Sequence, residues 1–134
     1  MIDDPKDRGT ARRKAFAADD LVEALLLSTD RPLSTYDIRD RLAEAGERLS
    51  IPLIYRAVSR LIDAGKIKRV ESINGYIASL DGCDAIAICA CCSRATPLDV
   101  GSVASQIRSL ATGQHLMVQQ VVLEVHVLCA ACRG

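Results

Sequence analysis

The sequence contains no long apolar run, although 49% of its 134 residues are apolar. A helix that crosses a bilayer needs about 20 consecutive apolar residues, and no stretch of this chain approaches that length. The N-terminal residues mix acids with bases and lack the apolar core of a secretory signal. We therefore expect a cytoplasmic protein without a membrane partner. In that compartment paired cysteines are more often metal ligands or redox centres than disulfides.

A net charge is also absent, because 17 basic residues balance 17 acidic ones. Taken alone, this balance argues against a nucleic-acid partner. The charges are unevenly distributed, however. From Arg48 to Arg69, six basic residues accompany one acid, Asp63, so the segment carries about +5. Residues 81–134 hold three arginines against four acids. The two halves therefore have different functions, and the basic half is the candidate nucleic-acid surface.

Histidine is scarce, since the chain has only His115 and His126. A metal sensor built from imidazole ligands would be hard to assemble from two such side chains. No nucleophile, base and orienting group fall in a recognisable catalytic arrangement either. The sequence therefore predicts that the protein is not an enzyme.

The first half of the chain has the pattern of three helices. Residues 1–16 are polar and are predicted to form a flexible arm. Apolar positions at helical spacing predict a first helix from residue 17 to residue 27 or 28. Ser34 and Ser50 are the predicted N-caps of the second and third helices, and Gly65 ends the third.

A hairpin is predicted after these helices. Apolar and basic residues alternate from 66 to 71, Asn74-Gly75 is interpreted as a tight turn, and a second strand returns. Three helices followed by a two-stranded ribbon are the order of a winged helix-turn-helix domain. We assign this DNA-binding domain to residues 17–80.

Residues 81–134 are predicted to form a small α/β domain, so the fold class of the chain is α+β. A buried strand is expected at 85–89, and one or two valine-rich strands at 117–128. Between them, residues 100–110 have helical periodicity with three side chains expected to point inward, Val103, Ile107 and Leu110. A domain of this size buries a marginal core, so it needs a staple or a partner chain.

Two Cys-x2-Cys pairs occur in this second domain, Cys89 with Cys92 and Cys129 with Cys132. Each pair places two thiolates on one tight turn, and two such turns complete the tetrahedral four-sulfur set that zinc prefers. A closed set leaves no position for water or substrate, so we expect one structural zinc ion per chain. Disulfides or a thioredoxin-like redox pair are the alternatives, but a redox pair needs only one such turn.

Two further cysteines lie outside these pairs. Cys91 lies within the first turn and is interpreted as a small space-filling thiol. Cys83 lies at the predicted linker beside Asp84. These last two side chains are candidate ligands for an additional metal ion.

Five strings occur in an order that spans nearly the whole chain from residue 17. They are STYDI at 34–38, PLIYRA at 52–57, KRVES and NGY between 68 and 76, and EVHVLCAAC at 124–132. In this order they resemble the ferric uptake regulator family of bacterial metal-responsive transcription factors, and its zinc uptake regulator branch most. The resemblance implies a homodimer whose second domains associate and whose winged helices bind a palindromic double-stranded DNA operator.

The side chains expected to contact DNA lie on the third helix and on the wing. Arg56 can donate two hydrogen bonds to a guanine edge, Tyr55 can contact bases or a thymine methyl, and Arg60 suits a phosphate. Phosphate contacts are also expected from the wing residues Lys66, Lys68 and Arg69. Two alternatives stay open, in which Tyr55 packs against the first helix and Arg60 is a solvated surface residue.

The positions at which the family holds its sensing metal are largely replaced in this chain. Where the zinc-sensing branch would place histidines, a cysteine and an acid, the sequence has Lys68, Ser79, Gly82 and Pro97. A separate difference concerns DNA binding, since Asp19 on the first helix stands where the family usually has a basic residue. A substitute site that uses Cys83 and Asp84, a different effector, and constitutive DNA binding are the remaining options.

We therefore predict a sequence-specific DNA-binding transcriptional regulator, a repressor of metal-homeostasis genes with structural zinc and a degenerate regulatory metal site. The alternatives are a dimerising protein-interaction module and a constitutive DNA binder that no longer senses metal. His126 is expected to orient its strand beside the zinc site rather than to bind a sensing ion.

Overall fold

The computed structural model describes residues 17–79 and 85–133. The chain divides into two compact units, Met1–Ser79 and Leu80–Gly134. Both candidate ligands near the linker, Cys83 and Asp84, lie outside the described residues, as does the N-terminal arm.

The first unit begins with three helices, as the capping residues predict. Helix α1 covers residues 17–27, α2 covers Thr35–Glu44 and α3 covers Ile51–Asp63. A reciprocal capping box starts α2, because the Asp37 N–H donates to Ser34 Oγ and the Ser34 N–H donates to Asp37 Oδ2, both at 3.1 Å. At the start of α3, the Leu53 N–H donates to Ser50 Oγ at 3.3 Å.

One face of each helix builds the core of this unit. The buried side chains follow helical spacing, so each helix turns a single apolar stripe toward the other two. They are Ala18, Val22 and Leu26 on α1, Ile38 and Leu42 on α2, and Ile54, Ala57, Val58 and Leu61 on α3. Leu33, Ile67 and Tyr76 extend the same core toward the wing.

The wing consists of β1 (Ile67–Val70) and β2 (Gly75–Ala78), which pair antiparallel with Val70 opposite Gly75. The predicted two-residue turn at Asn74-Gly75 is wrong. A 3-10 turn at Glu71–Ile73 and Asn74, whose φ is 51°, connect the strands, and Gly75 already belongs to β2. Local sequence reasoning missed this, because the Asn-Gly pair is typical of a tight hairpin turn.

Gly75 is required by a close approach rather than by a turn. Leu33 pairs with Tyr76 through backbone hydrogen bonds of 3.0 and 2.8 Å, which bring the preceding Pro32 against β2. A Cβ atom on residue 75 would lie 2.9 Å from Pro32 Cβ. The segment before α2 is thereby fixed to the wing.

The second unit is a three-stranded sheet with two helices. Its elements in chain order are β3 (Ala85–Cys89), β4 (Ala95–Leu98), α4 (Gly101–Gly113), β5 (Leu123–Val127) and α5 (Ala130–Arg133). The strand order is β4-β3-β5, with β3 antiparallel to β4 and parallel to β5. The predicted α+β class is confirmed. Strand β4 escaped prediction because it contains Pro97, which an edge strand tolerates.

Helix α4 buries fewer side chains than its periodicity predicts. Ala104 is its only buried residue, whereas Val103 is 44% and Leu110 69% exposed. The prediction that these two side chains point inward is wrong for this chain. Periodicity identifies an apolar helix face but does not specify whether the same chain covers it.

Among residues 17–79 and 85–133, no helix combines the length and the apolarity needed to cross a bilayer.

Substitution of Gly75 by alanine tests the close approach to Pro32. We expect G75A to lower the free energy of unfolding of the first unit by about 1–3 kcal/mol, because the added methyl group overpacks a tight contact. Denaturant unfolding followed by tyrosine near-UV circular dichroism measures it, since all three tyrosines lie in this unit. The control is G113A, whose Cβ would meet nothing within 4 Å. Equal midpoints for the two variants would contradict the argument.

Candidate metal centre and nucleic-acid interface

The four paired cysteines lie at one edge of the sheet in the second unit. Cys89 ends β3, and Cys92 lies in the turn that follows. Cys129 comes two residues after β5, and Cys132 lies on α5. Because β3 and β5 are parallel neighbours, their carboxyl ends reach the same edge. The strand pairing therefore brings together two turns that are far apart in the sequence.

The positions of the sulfur atoms suit a tetrahedral metal ion. All four Sγ atoms lie within 4.8 Å of one another, and Cys92 Sγ lies 3.8 Å from Cys129 Sγ. A tetrahedron with Zn–S bonds of about 2.3 Å has an edge of about 3.8 Å. A disulfide needs sulfurs at about 2.05 Å, and all five described cysteines are free. The donor set therefore fits zinc.

Backbone N–H groups stabilise a thiolate in this cluster. The Cys129 N–H points at Cys89 Sγ over 3.5 Å. N–H donors from Cys129 and then Cys92 lower the pKa of Cys89 to about 6. The pKa of Cys132 is raised, because its thiol is hydrogen-bonded to neighbouring sulfurs, first that of Cys129. A divalent cation would offset this crowding of negative charge and hold all four groups as thiolates.

These four residues form the only group of three or more candidate metal-ligating side chains in the described parts of the chain. Cys91 is exposed and is not a member of it. His126 lies on β5 opposite Ile88 and is exposed, while His115 lies in a turn after α4 with a φ of 62°. Neither histidine joins a metal-ligating group in residues 17–79 or 85–133.

Helix α3 presents an exposed face for nucleic-acid contact. Tyr55 is 49% exposed, so about half of its surface is accessible to a partner. Arg56 is also exposed, and no hydrogen bond or ion pair engages its side chain within the described residues. A free guanidinium next to an exposed tyrosine can donate to a base edge without first breaking an internal bond.

Arg60 lies one turn after Arg56 but is engaged within the chain. Its Nε donates to Asp19 Oδ2 at 2.9 Å and its Nη2 donates to Asp19 Oδ1 at 2.7 Å. This pair raises the pKa of Arg60 through the Asp19 hydrogen bond. Sequence reasoning weighed a phosphate contact and a solvated surface residue, but not this partner. The two residues are 41 positions apart, and no local pattern links them.

Of the three basic residues predicted on the wing, two contact other side chains of the same unit. Lys66 lies 3.5 Å from Glu23 of α1, and Arg69 donates to Asn74 Oδ1 at 2.7 Å and lies 3.6 Å from Glu71. Lys68 is half-buried on β1 opposite Ile77, and no ion pair engages it within the described residues. The predicted basic surface is thus partly neutralised by acids of the same unit.

The chain is similar to known proteins over most of its length, although no protein-family model matches it. It is 30% identical to the zinc uptake regulation protein of Escherichia coli (strain K12) over 129 residues, which cover 91% of this chain and 75% of that relative. A relative from Shigella flexneri, also described as a zinc uptake regulation protein, has the same identity and coverage.

Solved structures agree with this relationship. A zinc uptake regulator complexed with zinc and DNA has a TM-score of 0.78 at 26% identity, with 98% of this chain and 97% of that chain covered. The structure of holo XcZur has a TM-score of 0.77 at 29% identity, with 87% and 84% covered. A ferric uptake regulator from Francisella tularensis, at 20% identity and a TM-score of 0.67, shares the fold.

These relatives confirm the family that the sequence motifs indicate, and the cysteine cluster agrees with the structural zinc expected for it. The chain therefore belongs to the zinc uptake regulator branch of the ferric uptake regulator family, and it is a transcription regulator rather than an enzyme.

Proposed function

We propose that this protein is a sequence-specific DNA-binding repressor of metal-homeostasis genes that acts as a homodimer in the cytoplasm. Residues 17–80 would bind the operator, residues 81–134 would dimerise, and residues 1–16 would form an arm. Structural zinc would be held by Cys89, Cys92, Cys129 and Cys132. The observation that carries the proposal is the Arg56 guanidinium beside Tyr55 on the exposed face of α3, which no side chain in residues 17–79 or 85–133 engages.

Base recognition by α3 follows from the geometry of this face. An α-helix fits the major groove of B-DNA, and arginine can donate two parallel hydrogen bonds to guanine. Arg56 lies near the N-terminal end of α3, which starts at Ile51. In helix-turn-helix proteins the N-terminal residues of the recognition helix contact base edges. The relative solved with zinc and DNA supports the same role for this chain.

The homodimer is supported by the apolar side chains that the second unit exposes. Its core is small, while several large hydrophobic residues remain accessible, namely Val103, Leu110, Leu116, Met117, Val122, Val125 and Leu128. Such surfaces mark sites of association, and a second copy would cover them. A homodimer also places two α3 helices for the two halves of a palindromic operator.

Zinc would act in this protein as a staple rather than as a signal. Four sulfur ligands complete its coordination and leave no open position, so the ion supplies folding free energy to the second unit. The second candidate function, a constitutive DNA binder that does not sense metal, is favoured by one observation. The described residues contain no other group of metal ligands.

Replacement of Arg56 tests DNA recognition. Against duplexes selected by the wild-type protein from a random pool, we expect R56A to weaken binding by about 1–3 kcal/mol, because a bidentate base contact is lost. Fluorescence anisotropy at fixed salt measures the affinity. R108A, which removes an exposed arginine from α4, is the matched control. Selection of no sequence, or equal affinities of R56A and R108A, would favour the protein-interaction role.

Replacement of one zinc ligand tests the staple. We expect C92S to lose its zinc and to unfold the second unit, because three sulfurs no longer close the site. C91S, a change in the same turn, should keep its zinc. Elemental analysis of the purified variants measures the metal, and tyrosine near-UV circular dichroism reports whether the first unit stays folded. Retention of zinc by C92S would rule out this ligand set.

The metal content of the wild-type chain tests the regulatory site. We expect about one zinc per chain, the number that a single four-sulfur site holds. DNA binding should persist after a chelator has removed weakly held metal while that zinc remains. A content near two, with binding lost when the weaker ion is removed, would instead establish a second, regulatory site.

A further inference from the structure

Two acids on α1 face basic residues that the sequence assigns to DNA. Asp19 and Glu23 are four residues apart, so they lie on the same face of the helix. Asp19 contacts Arg60 of α3, and Glu23 contacts Lys66 immediately before β1. The buried residues Ala18, Val22 and Leu26 run beside them. The acids therefore border the interface that joins α1 to the rest of the unit.

The two ion pairs differ in strength. Asp19 accepts three N–H···O contacts of 2.7 to 3.1 Å from the Arg60 fork, and its side chain is only 15% exposed. Glu23 makes one contact of 3.5 Å with a lysine that is 56% exposed. A bidentate pair between arginine and carboxylate is geometrically fixed, whereas an exposed lysine exchanges partners easily. Only the first pair can hold its cation against a competing anion.

We propose that Asp19 withholds Arg60 from the DNA backbone, so that Arg60 contacts the Asp19 carboxylate of α1 rather than a phosphate. This inference rests on the proposed function. A phosphate could replace Asp19 only by leaving a largely buried carboxylate without its partner, close to further negative charge. The pair is neutral as a whole, so it adds nothing to the attraction for DNA.

Arg56, unlike Arg60, is not paired with an acid within the described residues. It lies one helical turn before Arg60, and its guanidinium has no partner within the described residues. The positive charge left on α3 is therefore at Arg56, the residue proposed to contact bases. DNA affinity of this chain would depend less on phosphate contacts, and thus less on salt, than its count of basic residues indicates.

The test is the salt dependence of binding by D19A and by D19A/R60A. A phosphate contact changes the slope of log K against log salt by about 0.9. We expect D19A to steepen the slope by about that amount and to bind several-fold more tightly at low salt, because Arg60 is released. D19A/R60A, which removes one charge of each sign, should return to the wild-type slope and affinity.

The control E23A removes one acid from the same helix face but frees only an exposed lysine that makes a single 3.5 Å contact. It should leave the wild-type slope unchanged, so an equal effect of E23A and D19A would overturn the inference in favour of general charge removal. A double variant D19A/R60A with a slope shallower than wild type would also overturn it, because Arg60 would then contact a phosphate. So would a D19A variant that binds more weakly.

A second measurement uses the wild-type chain and needs no variant to fold. The Arg60 Nε–Hε resonance, assigned by its loss in R60A, should keep its position when DNA is added. A large shift would overturn the inference. Both a selected duplex and a mixed-sequence duplex are used throughout. Equal affinity for the two duplexes defeats the proposed function, whereas the slopes on either duplex decide the role of Arg60, so the two failures are distinguishable.

Discussion

The parallel pairing of β3 with β5 is the contact on which the second unit depends. It places Cys89 opposite Val127 and thereby brings Cys129, two residues later, to the same edge of the sheet. Four thiolates at that edge repel one another until a cation neutralises them, and a tetrahedral ion then links the turn after β3 to α5. Metal and strand pairing therefore stabilise each other. A sheet of three strands with a single buried position on α4 has little other core.

In the first unit, most basic side chains on α3 and the wing have partners within the same unit. The basic segment carries about +5 by sequence, yet Arg60, Lys66 and Arg69 each contact an acid or amide of the same unit. The Arg60 pair joins α3 to α1, the Lys66 pair joins the residue before β1 to α1, and the contacts of Arg69 lie within the wing. No hydrogen bond or ion pair engages the Arg56 side chain within the described residues, which leaves its donors available to the proposed DNA partner. In the proposed function, base recognition by Arg56 would thereby be separated from nonspecific attraction, to which the paired Arg60 would contribute little.

Local signals anticipated most elements of the fold. The starts of α2 and α3 were predicted from their N-caps, because capping depends only on neighbouring residues. Ser34 forms a capping box with Asp37, and the Ser50 side chain accepts a backbone N–H. Errors arose where a distant segment decides the outcome. Gly75 was assigned to a turn, but its place in β2 is fixed by Pro32. Val103 and Leu110 were expected to be buried, but no part of the described chain covers them enough to bury them.

The order of capped helices, the Cys-x2-Cys spacing and the family strings can all be recognised in the linear sequence, because each depends on residues a few positions apart. They were enough to predict the family and its structural zinc, which the relatives and the cysteine cluster then confirmed. The convergence of the two cysteine pairs depends on the pairing of β3 with β5, and the engagement of Arg60 by Asp19 depends on how α1 packs against α3. Such contacts join residues about 40 positions apart, as Asp19 and Arg60 are, and no periodicity in the sequence encodes them.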